Sequence, residues 1–436
     1  MDRNRIAAET VEYCAELIRF DTTNTGDDSS RGERAAAEYT MGLLTEVGYE
    51  PVYVESRPRR GSVFLRIAGT DPGAPALVVH GHLDVVPAQE DEWSVPPFAG
   101  VVQGGAIWGR GAVDMKDMDA MMIACARDMA KSGWRPRRDL VLAFFADEES
   151  GGGLGAKWCV EHRPELFAGA TEAVGEVGGF STSIGGRRAY LIQTAEKGLM
   201  WLRLAMRGTA GHGSAANPDN AVSHLADAVA RLAAYPWPVH VSPAVEGLLR
   251  GTAELVGIGY DEDPGTLDRL LDALGPVRRF VAPTLGTACN PTGLRAGYKA
   301  NVVPSQAEAT LDIRPLPGQH QAALGVVEGA MGERGSVDPI HIGIGVESPF
   351  DVPLVDAMAQ ALGRADPEGV VLPYMLAAGT DAKSLAELGI RGYGFVPLRL
   401  PSDFDFTAMF HGVDERVPVD AVEFGAIVLA DFLATC

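Results

Sequence analysis

The chain has 436 residues, 46% hydrophobic and 22% charged, which suits a globular protein able to bury a sizeable core in more than one domain. Its 37 Lys and Arg stand against 58 Asp and Glu, and a net charge of −21 repels phosphate backbones, so nucleic acid is a poor partner. No apolar run approaches the length of a membrane span, the first residues lack the apolar core of a secretory signal, and five scattered cysteines form neither a CxxC pair nor a disulfide framework; the cytoplasm is the expected location.

Helical periodicity covers 7–19 and 33–46, and Gly48 is placed to end the second helix. Extended apolar runs follow at 51–55 and 62–68. Three segments of buried-strand character come next, Ala76 to Val79, Leu140 to Ala146 and Glu172 to Val174, with a helical pattern over 115–131 between the first two. That helix carries Met118, Met121, Met122, Cys125 and Met129 on an apolar face, a core stripe. Strands alternating with helices predict an α/β domain with a mixed, largely parallel sheet flanked by helices.

Beyond residue 189 the pattern changes. A strand at Leu199 to Met206, a helix at 219–235, a strand pair at 294–303 and 306–314, a helix at 319–331 and a strand at His341 to Val346 give the order β-α-β-β-α-β, the ferredoxin-like unit. A Gly-, Pro- and Asp-rich stretch near 240–290 interrupts it and reads as an excursion. Helices at 353–364 and 419–434 resume the α/β character. The expected organisation is a catalytic domain in two pieces, 1–189 and 349–436, with an inserted α+β domain at 190–348.

Each of the three buried runs ends in metal-capable residues. The first leads into His80-Gly81-His82-Leu83-Asp84, the second into Asp147-Glu148-Glu149, the third into Gly175-Glu176. Open parallel sheets bind ligands beyond the carboxyl ends of their strands, so these side chains are expected on one rim. His82 and Asp84 lie two apart and point the same way in an extended segment, where a carboxylate can fix an imidazole's tautomer. His80 reads as a locally bonded residue. Asp114 follows Gly109 and Gly111 just ahead of a helix; it is either the helix cap or a carboxylate shared by two cations. Glu148 and Glu149 diverge, so that one can ligate a metal while the other reaches an attacking water. The glycines at 151–153 and 155 lack a following Walker lysine and read as a turn, and no GxSxG elbow supports a serine hydrolase.

Together, GHLDVVP (81–87), GRGAVDMK (109–116), DEESGGGLGA (147–156), GHGSAANP (211–218), NVVPSQAEATLDIRP (301–315), GTDA (379–382) and FHGVDERVP (410–418) resemble, in order, the metallohydrolase family of aminoacylases, acetylornithine deacetylase, succinyl-diaminopimelate desuccinylase, glutamate carboxypeptidase and carboxypeptidase S. HGVDE and YGFVP (393–397) look most like its carboxypeptidase S and N-acyl amino acid hydrolase branch. The resemblance implies two divalent ions, zinc first, with cobalt or manganese accepted by the same donors. It implies His82, Asp114, Glu149, Glu176 and His411 as metal ligands, Asp114 shared by both ions. Asp84 is then the residue that orients His82, and Glu148 the general base for a water between the cations. The inserted domain becomes a lid and dimer interface whose His212 supports the oxyanion in the partner's site. Asn301, Arg314 and Gly379 fall at substrate-binding positions. Lys116-Asp117 and Glu176-Val177 depart from the family's usual continuations.

The implied activity is hydrolysis of the amide bond of N-acyl amino acids or small peptides bearing a free carboxylate. A dipeptidase or carboxypeptidase of the same mechanism is the nearest alternative. A catalytically silent metal-binding protein is the alternative from another class, against which the retention of Glu148 speaks.

Overall fold

The computed structural model describes residues 1–436. A ten-stranded mixed sheet forms its centre. Across it the strands run in the order Val52–Arg57, Arg60–Ile67, Leu140–Phe145, Ala76–His82, Ala170–Gly175, Arg391–Gly394, Arg187–Glu196 and Val346–Glu347, with Val370–Leu376 and Phe180–Ile184 also paired to Arg187–Glu196. The middle of the sheet is parallel: Ala76–His82 lies between Leu140–Phe145 and Ala170–Gly175, both in its own direction. Antiparallel neighbours flank this centre.

Alternation along the central strands explains why both faces are covered. Leu77, Val79, Leu142, Phe144 and Val174 enter the main core, which also holds the methionine stripe of the helix Lys116–Ser132. Val78, Val141, Ala143, Phe145 and Ala173 enter a second core on the opposite face. A strand buried on both sides reads as a continuous apolar run, which is what these segments show.

The insert is a separate antiparallel sheet, ordered Ala288–Ala296, Gln306–Arg314, Leu199–Arg207 and Gly335–Gly343, packed on the helices Ala221–Ala233 and His320–Met331 around its own core of Met200, Leu204, Leu225, Leu311 and Val327. Two segments expected with the insert sit elsewhere. Residues 190–196 continue a strand of the large sheet. The stretch near 240–290 is largely helical (Pro243–Val256, Pro264–Ala273, Arg278–Val281), and Leu248, Leu249, Leu270 and Leu271 join the main core. Their leucines recur at helical spacing between Pro and Gly breakers, so the breakers punctuate helices here. No helix is long and apolar enough to cross a membrane.

A small sheet of Val101–Gln103, Ala106–Trp108 and Arg416–Pro418 joins two distant stretches. It sets the loop that carries Asp114 beside the loop that carries His411.

Candidate metal centre and active site

His82 is the last residue of its strand, Glu176 follows directly on the end of one neighbour, and Glu148 stands three residues beyond the end of the other. The parallel register therefore delivers all three to one rim. Gly109 and Gly111, with φ of 151° and 89°, turn the chain in the left-handed region ahead of Asp114. The helix begins at Lys116 without a side-chain cap, so Asp114 is free of that duty.

Two groups that could each hold a metal ion result, His82–Asp114–Glu176 and Asp114–Glu149–His411. Their oxygens are divided between the histidines: Asp114 Oδ1 lies 3.1 Å from His82 Nε2, and Asp114 Oδ2 lies 3.3 Å from His411 Nε2. Glu176 Oε2 stands 3.5 Å from His82 Nε2, and Glu149 Oε2 stands 3.2 Å from His411 Nε2. Asp84 supports the group from behind. Its main-chain oxygen lies 3.0 Å from His82 Nδ1, while its carboxylate accepts from the backbone N–H groups of Glu148 (3.0 Å) and Glu149 (3.1 Å).

The electrostatics describe a place short of positive charge. Burial lifts Glu148 well above the ordinary carboxylate range, helped by the neighbouring charge of Glu176, and burial lifts Glu176 to about 7. Burial opposes a charged His82, yet Glu176, Asp114 and Asp84 together hold it well above its usual value. Hydrogen bonds to Asp114 and Glu149 raise His411 to about 10. Glu149 Oε1 is buried with no partner at all. Such a surplus of carboxylate beside imidazole matches the donor set of divalent metals, and the chain has a site for two such ions.

Glu415 holds the shared carboxylate's loop. It pairs with Arg110 at 2.6 Å and accepts from the backbone N–H groups of Gly111, Val113 and Asp114. His80, two residues before His82 on the same strand, lies 5.9 Å from the Phe145 ring; burial lowers it to about 3, and it joins neither group. Val177, a β-branched residue at φ 52°, follows Glu176 in a conformation such side chains avoid, a strain of order 1–3 kcal/mol that clusters at functional sites.

A cavity of about 680 Å³ opens over the metal groups. Glu148, Arg314 and Gly379 line it together with Asp114, Glu149, Glu176 and His411. His212 and Asn301 do not. They sit on the exposed tip of the insert, where Gly211–His212 pairs with Val302–Val303 and the Gly213 N–H donates to the Asn301 carbonyl at 2.9 Å.

Sequence reasoning missed several lining groups: Lys157, Lys383 and His341 among the basic ones, and Leu199, Trp201, Phe280, Ile342 and Ile344 among the apolar. Lys383 directly follows GTDA (379–382), a signal that was available. The apolar set is scattered over the insert and the helical excursion, and only the fold assembles it.

A profile of peptidase family M20/M25/M40 matches residues 78–435. The chain belongs to this family. It is 28% identical over 384 residues to the N-fatty-acyl-amino acid synthase/hydrolase PM20D1 of Homo sapiens, covering 82% of this chain and 73% of that one. Its identity to a probable carboxypeptidase S-like 2 of Dictyostelium discoideum is 27% over 388 residues, covering 80% and 70%. The fold is that of an M20 family metallo-carboxypeptidase from Sulfolobus solfataricus, with a TM-score of 0.73 at 17% identity over 100% of this chain and 99% of that one. Membership and the two ligand groups make the protein a two-metal hydrolase of the amidohydrolase and metallopeptidase type.

Proposed function

We propose that this M20 enzyme hydrolyses the amide bond of N-acyl amino acids with an apolar acyl group. The observation that carries the reading is the division of the cavity wall. Leu199, Trp201, Phe280, Ile342, Ile344 and Phe410 offer an apolar surface, while Arg314, Lys383 and Lys157 offer positive charge for a free carboxylate. The resemblance to a fatty-acyl-amino acid hydrolase supports the same substrate.

His82, Asp114 and Glu176 are assigned to one ion, and Asp114, Glu149 and His411 to the other, with zinc the expected metal. When bound, the ions supply Lewis acidity toward the scissile carbonyl and the attacking water. Glu148 takes the water's proton and returns it to the leaving amine nitrogen, a task suited to a carboxylate whose affinity for protons burial has raised. Asp84 fixes the backbone of that base through the Glu148 and Glu149 N–H groups. Arg314, steered by two bonds to Asp312, presents the rest of its guanidinium to the substrate carboxylate. The apolar wall excludes water around the bond being cut.

Metal-dependent release from N-lauroyl amino acids is the expected result when N-lauroyl, N-acetyl and N-succinyl amino acids and dipeptides are offered with zinc or cobalt. Chelation is expected to abolish it and added zinc to restore it. Faster turnover of dipeptides would transfer the assignment to a dipeptidase, a reading favoured by Glu387, a carboxylate on the same wall able to hold an α-amine. No turnover on any substrate with two ions bound would leave the silent metal-binding protein.

The exposed position of His212 and Asn301 also supports a homodimer in which each lid tip completes the partner's site. Leu294 (60% exposed) and Tyr298 (80% exposed) lie on or beside the edge strand Ala288–Ala296 and give that tip an apolar flank. Light scattering is expected to report a dimer, and Tyr298→Asp a monomer of much lower activity. A fully active monomer would remove His212 from the chemistry. Five free cysteines and no disulfide accord with work in the reducing cytoplasm.

A further inference from the structure

Asn24 lies outside the residues that match the family profile, on a loop between the first two helices. Its side chain is buried, and its Nδ2 group donates to two carboxylates at once: Asp84 Oδ2 at 2.8 Å and Asp147 Oδ1 at 3.1 Å. Both acceptors are buried, and no other side-chain donor reaches Asp84 Oδ2. On the other side, Asn24 Oδ1 receives Arg60 Nη2 (3.0 Å), Ser150 Oγ (2.8 Å), Ser30 Oγ (3.1 Å) and the Gly26 N–H (3.0 Å). Its backbone N–H donates to the Val85 carbonyl at 2.9 Å, which ties the loop alongside the residue after Asp84.

The two carboxylates that Asn24 joins hold opposite ends of one loop. Asp84 accepts the backbone N–H groups of Glu148 and Glu149, and Asp147 Oδ2 accepts that of Leu154 at 2.8 Å. Left alone, two buried like charges repel and drift apart. An amide, with two N–H donors and no charge, is the one common side-chain group that satisfies both without adding to the balance.

We propose that Asn24 is a positioning residue for the reaction: it clamps the 147–154 loop through Asp84 and Asp147 and so sets the direction of Glu148. This rests on the reading of Glu148 as the base. Arg60, buried and paired with Glu33 at 2.5 Å, fixes the amide's orientation, because its guanidinium accepts no hydrogen bond and therefore must face Oδ1. Asn24, Asp84 and Asp147 neither line the cavity nor belong to a metal-holding group, and the network meets the cavity wall only through Ser150.

The experiment compares Asn24→Asp, the same shape without the amide donors, and Asn24→Leu with wild type in the full-length, zinc-loaded enzyme. Val327→Ala in the insert's core serves as a control for lost stability. The expected result is a kcat lower by about 10–100-fold, the effect of losing a supporting partner of an active-site group. KM and the content of two metal ions per chain stay near wild type, and peptides from 147–154 exchange their amide hydrogens faster. The Val327→Ala control keeps its kcat. An unchanged kcat with a lower Tm, a loss of metal, or a change confined to KM would overturn the proposal. If wild type cleaves no N-acyl amino acid, the functional reading fails by itself. Hydrogen exchange then decides the clamp alone, since unchanged protection of 147–154 in both variants removes it.

Discussion

Glu148→Ala is expected to lower kcat by about 10²–10⁴-fold while the enzyme keeps both metal ions, the range a positioned acid–base group contributes. Glu148 lines the cavity beside the two ligand groups and belongs to neither. Under the proposed mechanism its carboxyl serves the attacking water. Burial, with the charges of Glu176 and Asp381 nearby, raises its affinity for a proton, so it can take one and later return it. Its backbone is held by Asp84, which leaves the ligand positions of Glu149 and Glu176 independent of the lost side chain. KM stays near wild type because the carboxylate-binding residues are untouched. Metal analysis beside steady-state kinetics checks the outcome. A variant that loses metal would make Glu148 a ligand, and one that keeps its activity would end its part in the chemistry.

What could be read before the fold was known follows from how local each signal is. The run Ala76 to Val79 ending at His82 and Asp84 is visible because burial and ligand chemistry adjoin in the chain, and the same holds for Leu140 to Glu149. The α/β class with a separate α+β insert came from periodicity over long segments. The helices between 243 and 281 were obscured by composition: Gly, Pro and Asp mark their ends, whereas Leu248 and Leu270 carry their packing. Asn24 could not be found this way, and Glu415, though inside the FHGVDERVP block, had no role that the sequence made legible. Asn24 acts on Asp84 and Asp147, 60 and 123 residues away, and Glu415 on the loop of Asp114, some 300 residues away. Their types are ordinary for a turn or a surface, and only tertiary contact gives them a task. His212 and Asn301 were legible as motif positions, yet they lie on an exposed tip outside the cavity of a single chain.

Asp114→Ala is expected to cost the enzyme both ions, and with them all measurable turnover, whereas His411→Ala or Glu176→Ala reduces only one site. The asymmetry follows from membership, since Asp114 alone belongs to both ligand groups, each of its oxygens facing a different histidine. Removing it leaves each group with one histidine and one carboxylate, short of what a divalent ion needs for tight binding. Its loop is expected to stay in place, because Glu415 grips the backbone N–H groups of Gly111, Val113 and Asp114 and leaves the Asp114 side chain out of that grip. The fold should therefore persist while Tm falls by the stabilisation that bound metal contributes, a loss that added zinc cannot restore in this variant. Metal content per chain after dialysis, measured for all three variants, separates the cases. Two ions retained by Asp114→Ala would mean that the two groups do not share a carboxylate in solution. Equal losses in all three would mean that the ions bind as one cooperative unit, with each ligand needed for both.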